Sequence, residues 1–420
     1  MMLPTAVRMP DLATHRGPHG LTITASALAT VPMVQAHLAI PLVLRNRFDL
    51  AVCDVLAACW PDLPACSYFE QFGGTVAISR KRQWLILSLT CTADLLPLLA
   101  DTLAAVVGAQ YTDDRVRIAS SKASQQASLV TAQPAVDSVR RLWGEFYEQP
   151  PPFADPSPDP DDVAEVSAGQ VAAAHSECIS PGRSQLVVVG DIDGERTFDH
   201  LERGLSAWIE PPLAVREDTT SRPVRAGGHR IVTHHRPGWQ QSHIRLAAES
   251  VSRTNRSAFA AAQIASLILG GTFSSRINAV LREEHGLAYR TVASVTDHLD
   301  NDVLVIEADV SSSGTAEAMS HLARLLEEFA AAGPTDRERE AAIGYITGKH
   351  ALSLGSQAGR AACVLSYLTS GIPASGIADI LERTARLTLA EVRASAALYG
   401  PDRMSGVVCG NAAELPDRWL

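Results

Sequence analysis

Two long hydrogen-bond donors, Arg282 and Tyr289, stand seven residues apart in the second half of this 420-residue chain. A guanidinium and a phenol that converge on one point can stabilise oxyanion charge. On spacing alone, the commoner outcome is a helix-surface arginine and a strand tyrosine packed in the core. His285 lies between them at a predicted helix C-terminus, where the dipole favours a histidine on structural grounds. His234 and His235 read as exposed strand-end residues with no metal role. The cysteines (Cys53, Cys59, Cys66, Cys91, Cys178, Cys363 and Cys409) form no Cys-x-x-Cys pair and read as small core residues.

The elements that must position the two donors belong to the stretch Leu269–Tyr289, LGGTFSSRINAVLREEHGLAY. Gly270-Gly271 breaks what precedes it, and Ser274-Ser275 offers hydroxyls suited to capping a new helix. Arg276 to Glu284 reads as that helix, with Ile277, Val280 and Leu281 on one face. Gly286 is suited to the left-handed conformation that ends it. An extended run then begins at Leu287. Arg276 reads either as a brace for the turn or as one half of a surface ion pair.

This stretch resembles the C-terminal-domain signature of the pitrilysin/insulinase family of zinc peptidases (M16, inverzincins), of the small two-domain processing-peptidase type. The matching residues are Gly270-Gly271, Ser274-Ser275-Arg276, Leu281-Arg282-Glu283 and Gly286-Leu287-Ala288-Tyr289. The resemblance implies that Arg282 and Tyr289 form a catalytic and substrate-binding pair that reaches toward a zinc site and contacts the substrate backbone. It also implies an α/β (α+β) fold of two tandem homologous domains, each an open mixed sheet packed with helices. The expected boundaries are 1–210, a linker at 211–228, and 229–420.

The other half of the family's chemistry is missing. In the active form, a helix matching Leu50–Trp60 carries His-x-x-Glu-His, which binds zinc and polarises a water. Here that helix reads Ala51-Val52-Cys53-Asp54-Val55-Leu56-Ala57, and no histidine lies between His37 and His175. The later helix expected to supply a third ligand, Asp113–Leu129, has neither Glu nor His. No metal ligands are therefore expected in this chain, and Cys53 and Asp54 read as packing or surface positions.

The remaining sequence fits this outline. Length alone suggests two domains of roughly 200 residues. A formal charge of −10 argues against a nucleic-acid partner. Lysine occurs only at 81, 122 and 349, so arginine dominates the cations, as in GC-rich bacterial coding. The N-terminus lacks the apolar core of a signal peptide, and no apolar run of membrane-spanning length stands out, so a cytoplasmic chain with no membrane partner is expected. Met33–Val43 reads as a central strand, Thr75–Ser79 with Trp84–Thr90 as a hairpin, and Asp94 as the cap of the helix that follows. The Pro- and Asp-rich segment Gln149–Asp162 reads as a surface loop. The second half repeats the first: His243–Ala248 echoes His37–Leu42, and Gly406–Gly410 echoes Val187–Gly190.

The resemblance implies one subunit of a heterodimeric metalloendopeptidase acting on peptides, with precursor or leader peptides the natural candidates. A homologous partner would carry His-x-x-Glu-His and zinc, and the two chains would share an extended peptide substrate. The alternatives are a catalytically inactive assembly subunit and a stand-alone peptide-binding protein.

Overall fold

The computed structural model describes residues 9–209, 224–225, 229–298, 301–411 and 418–419. The first sheet is built from β1 (Ala13–Arg16), β2 (Thr22–Ala27), β3 (Met33–Pro41), β4 (Thr75–Lys81), β5 (Trp84–Thr92) and β7 (Gln185–Gly190), in the order β1-β2-β7-β3-β5-β4. The second is built from β9 (Ile231–His235), β10 (Gln241–Glu249), β11 (Ala288–His298), β12 (Asn301–Ser311), β13 (Ser405–Gly410) and β14 (Arg418–Trp419), in the order β14-β9-β13-β10-β12-β11. Five strands of each order correspond; the outermost do not, since β1 opens the first half and β14 ends the second. Each sheet carries one parallel pair, β2 with β7 and β9 with β13. The mixed two-sheet α/β architecture expected from the sequence is the one observed.

The repeat holds in topology but not in the residue matches drawn from sequence identity. His37 faces Val187 across the ladder, and Arg245 faces Val407. Since β7 and β13 correspond end to end, His37 takes the place of Arg245, and Gln35 that of His243. Only the ladder fixes such a register, because identity between two short strands is a weak constraint.

Alternation along the central strands builds two faces. Val34, Ala36, Leu38 and Ile40 of β3 join the core made with the first half's own helices. Ile244, Leu246 and Ala248 of β10 do the same in the second half. The opposite faces are covered reciprocally. The helix Pro134–Phe146, from the first half, lays Leu142, Trp143 and Phe146 on Ala247, Val303, Val305 and Val407 of the second sheet. The helix Gln357–Leu368, from the second half, lays Ala361, Val364 and Leu365 on Ala39, Ile86, Val187 and Val189 of the first. Arg360 on that helix donates to Ser26 Oγ and Ala27 O, each at 3.1 Å. Each sheet therefore buries part of its second apolar face under a helix from the other half.

The linker expected at 211–228 lies outside the described residues, except for β8 (Val224–Arg225), which pairs with β6 (Tyr147–Gln149). The helical run Arg256–Glu284 is apolar and long enough to cross a membrane, yet 56% of its apolar window is buried inside the protein. It packs on the second sheet as a core element.

Two local expectations are corrected. The helix Leu96–Val107 starts from Leu95 without a side-chain cap, because Asp94 falls inside a preceding 3-10 turn, Ala93–Leu95. The segment expected as a surface loop is largely interior: Pro151, Pro152, Phe153, Ala154, Asp155, Ser157 and Pro158 are all buried. Proline rings are apolar and bring no N–H that burial would leave unsatisfied. The one buried charge, Asp155, is held by the Arg140 guanidinium at 2.9 Å.

Candidate functional site

The site begins with a close approach. A side chain at Gly270 would sit 2.8 Å from the backbone nitrogen of Ala293, so only glycine lets this helix rest on β11. Gly270→Ala is expected to destabilise the chain by about 1–3 kcal/mol, the usual cost of overpacking a tight core. Denaturant unfolding of the variant checks this, and unchanged stability would mean that the helix can withdraw from the strand without loss.

Ser275 takes the cap position of the next helix, but its hydroxyl donates backward to Thr272 O at 2.6 Å instead of accepting from the first turn. The expected α-helix over Arg276–Glu284 is regular only to Asn278. From Ala279 to Glu284 it widens into a π turn, with His285 N bonded to Val280 O at 3.2 Å. Such bulges often mark functional positions. Gly286 ends the turn at φ +63°, as its position suggested. Leu287 N then returns to Leu281 O at 2.7 Å, so the turn is closed by backbone bonds.

Tyr289 falls at a β-bulge. Ala288 pairs with Val310 and Arg290 with Asp309, which leaves Tyr289 without a partner across the ladder. A bulged residue is re-aimed away from both sheet faces, and Tyr289 is 81% exposed. Arg282 is also solvent-facing, with its guanidinium carbon 5.3 Å from the centroid of the exposed Phe273 ring. Its nearest charge is Glu283, at 3.6 Å. Neither donor is consumed by a buried partner. Both belong to the one helix-to-strand turn, and β11 is the edge strand of its sheet.

The neighbouring charges are structural. Arg276 grips Glu338 through two nitrogens, at 2.6 and 2.8 Å, and its guanidinium stacks on Phe329. Burial would raise the Glu338 pKa, but the bonds from Arg276 and from Thr335 outweigh it and bring it down to about 2. Arg276 thus braces the turn against the capping box of the helix Asp336–Leu354. Arg290 pairs with Glu307 at 2.5 Å, ahead of the buried pair Arg245–Asp309 at 2.7 Å.

Among the described residues of the first half, no zinc-ligand set stands where the family's zinc helix would act. The helix Arg47–Cys59 buries Val52, Cys53, Val55 and Leu56. Asp54 is tied to Arg80 at 2.6 Å, and Arg80 also donates to Pro156 O. From the helix Asp113–Thr131, Ser120 and Ser124 donate to Val163 O and Pro160 O, which holds the proline-rich segment in place. A hydrogen bond to Cys178, and then burial, push the Cys53 thiol up, so it is no thiolate near neutral pH. Apolar packing and paired charges occupy this region, and no ligand set for zinc is assembled there. Metal analysis after mild chelation is expected to find no one-to-one zinc, and a retained equivalent would contradict this reading of the first half.

One grouping escaped the sequence reading. His285, rated structural, meets Glu317 and His321 of the helix Thr315–Ala332. The i, i+4 spacing of Glu317 and His321 was visible in the sequence, but their approach to His285 depends on how turn and helix pack.

The fold is shared with known proteins. A family model described as the peptidase M16 inactive domain matches residues 165–344, which include Arg282 and Tyr289. An uncharacterised zinc protease of Streptomyces coelicolor is 26% identical over 245 residues, covering 56% of this chain and 52% of that protein. The chain thus spans about half the length of this relative. Among solved structures, a protease from Helicobacter pylori superposes with a TM-score of 0.87 at 16% identity, over 96% of this chain and 100% of the other. A peptidase M16 inactive domain from Pseudomonas fluorescens gives 0.84 at 18% identity, over 95% and 98%.

Proposed function

From the chain's membership of the peptidase M16 family, through the inactive domain at residues 165–344, we propose that it is the zinc-free subunit of a two-chain metalloendopeptidase. A homologous partner carries His-x-x-Glu-His and the ion. This chain contributes Arg282 and Tyr289, which donate to the carbonyl oxygen of the peptide bond under attack. The observation that carries the reading is the bulge at Tyr289. It exposes a phenol at the head of an edge strand, in the same helix-to-strand turn as an unburied guanidinium.

The chemistry divides between the chains. Zinc held by the partner's His-x-x-Glu-His would supply the hydrolytic chemistry by activating the nucleophile. Charge then grows on the carbonyl oxygen, and two preorganised donors stabilise it there more than they stabilise the ground state. The outer edge of β11 has no strand neighbour among the described residues. An extended peptide can add to such an edge through backbone hydrogen bonds, which gives affinity with little demand on sequence. Unfolded precursor or leader peptides fit that requirement.

Co-expression tests the proposal. With a zinc-motif partner encoded nearby, the two chains are expected to co-purify and to cleave an unstructured peptide library, while neither does so alone. Stable assembly without cleavage would instead favour an assembly subunit. Peptide binding by the isolated chain, with no partner, would favour a stand-alone binding protein.

A further inference from the structure

We propose that His285, Glu317 and His321 form a surface site for a divalent transition-metal ion of the zinc type. Their ligand atoms all lie within 4.8 Å of one another. Glu317 Oε1 is 3.7 Å from His321 Nε2 and 4.0 Å from His285 Nδ1. Zinc bonds of about 2.0–2.1 Å in a tetrahedron place adjacent ligands about 3.4 Å apart. The two separations from Glu317 thus exceed that spacing by only about 0.3 and 0.6 Å. Two imidazoles and one carboxylate are a donor set that zinc accepts, and three protein ligands leave a fourth position open.

The scaffold holds this grouping in place. Glu317 and His321 share one face of an 18-residue helix, at the i, i+4 spacing that makes neighbours. His285 follows the π turn, whose closure by Leu287 N to Leu281 O fixes its backbone. A side chain at Gly314 would meet Leu287 Cδ2 at 2.9 Å, so this glycine lets the turn settle on the start of the helix. The imidazole rings of His285 and His321 lie tilted at 31° to each other, with centroids 4.0 Å apart.

One group competes with the ion. Arg324 Nη2 donates to His321 Nδ1 at 2.9 Å, which leaves the neutral ring's proton on Nε2, facing Glu317. Metal binding at Nε2 requires that proton to move to Nδ1 and Arg324, which is exposed, to swing away. No net proton is released from the ring in this exchange. A bound ion would then tether the turn that carries Arg282 and Tyr289 to the helix.

The test uses the full chain, stripped by a chelator and titrated with Zn²⁺ by calorimetry and with Co²⁺ by visible absorption. An open surface site gives up its ion to a chelator, so readdition, not the metal content as purified, is the readout. Wild type is expected to bind one equivalent, with a Co²⁺ spectrum typical of nitrogen and oxygen ligands. His285→Ala and Glu317→Gln alter exposed side chains and should leave the far-ultraviolet circular dichroism unchanged. Each is expected to weaken binding by more than about tenfold, since even outer-shell partners of a metal site are worth that much. Arg324→Leu is expected to tighten it, and His200→Gln, on a distant helix, to leave it unchanged. Absence of saturable one-to-one binding in the wild type, or binding indifferent to both His285→Ala and Glu317→Gln, overturns the proposal.

Discussion

Tyr289→Phe, assembled with a zinc-bearing partner chain, is expected to lower kcat by about 10²–10³, the typical cost of losing one oxyanion donor. The change deletes a single hydroxyl and keeps the ring. Tyr289 is 81% exposed at a bulge, so its hydroxyl contributes nothing to the core, and folding and assembly should survive. The expected signature is a fall in kcat with little change in KM, because the interaction strengthens only as charge develops. Arg282→Ala should also be severe, but it removes the stacking on Phe273 together with the charge, so KM is expected to rise as well. The zinc content of the partner should stay constant, since neither residue is a ligand. Wild-type cleavage rates in both variants, with normal assembly, would make the pair structural.

Asp309→Leu is expected to cost about 3–5 kcal/mol of folding stability, because it strands a buried cation. Arg245 is fully buried on β10, and its Nη2 lies 2.7 Å from Asp309 Oδ1. The same oxygen is 2.7 Å from His243 Nδ1. With the carboxylate gone, the nearest anion to Arg245 is Glu307, at 4.0 Å. The double variant Asp309→Leu with Arg245→Met is expected to recover most of the loss, since removing both charges leaves neither one buried and unpaired. Failure of the second change to rescue the first would place the cost in shape and not in charge.

The same carboxylate sets an acid limit. Burial alone would raise the Asp309 pKa, but the bond from His243 and the charge of Arg245 outweigh it and bring it down to about 2. A carboxyl that is more acidic in the folded state stabilises the fold above its unfolded pKa, and this contribution is lost as pH falls through the folded value. Asp309 and Glu338 should therefore make wild type lose stability from about pH 4 down to about pH 2. Denaturant unfolding at pH 6 and pH 3 reads this directly. The double variant should show a shallower acid dependence than wild type.

The sequence alone determined several things about this protein. Strand alternation and the recurrence of one element pattern implied two related α/β halves, because core-facing positions must repeat with the period of the element that presents them. The motif from Gly270 to Tyr289 was legible because glycine at a close approach and glycine at positive φ are constraints that few other residues satisfy. Absence of a His-x-x-Glu-His pattern was equally plain, since it is read directly from the residue types.

Tertiary structure decided the rest. It set the register that puts His37, and not Ala39, at the position equivalent to Arg245, because ladder hydrogen bonds choose the face. It sent the helices Pro134–Phe146 and Gln357–Leu368 to the opposite halves, because each sheet has a second apolar face that its own half leaves uncovered. It buried the proline-rich segment that composition had assigned to the surface, since rings without N–H groups can be interior where a loop rich in free donors cannot. It turned Tyr289 outward through a single unpaired residue in a ladder, which no periodicity announces. And it brought His285 against Glu317 and His321, because packing between a turn and a helix, and not their distance along the chain, determines which side chains meet.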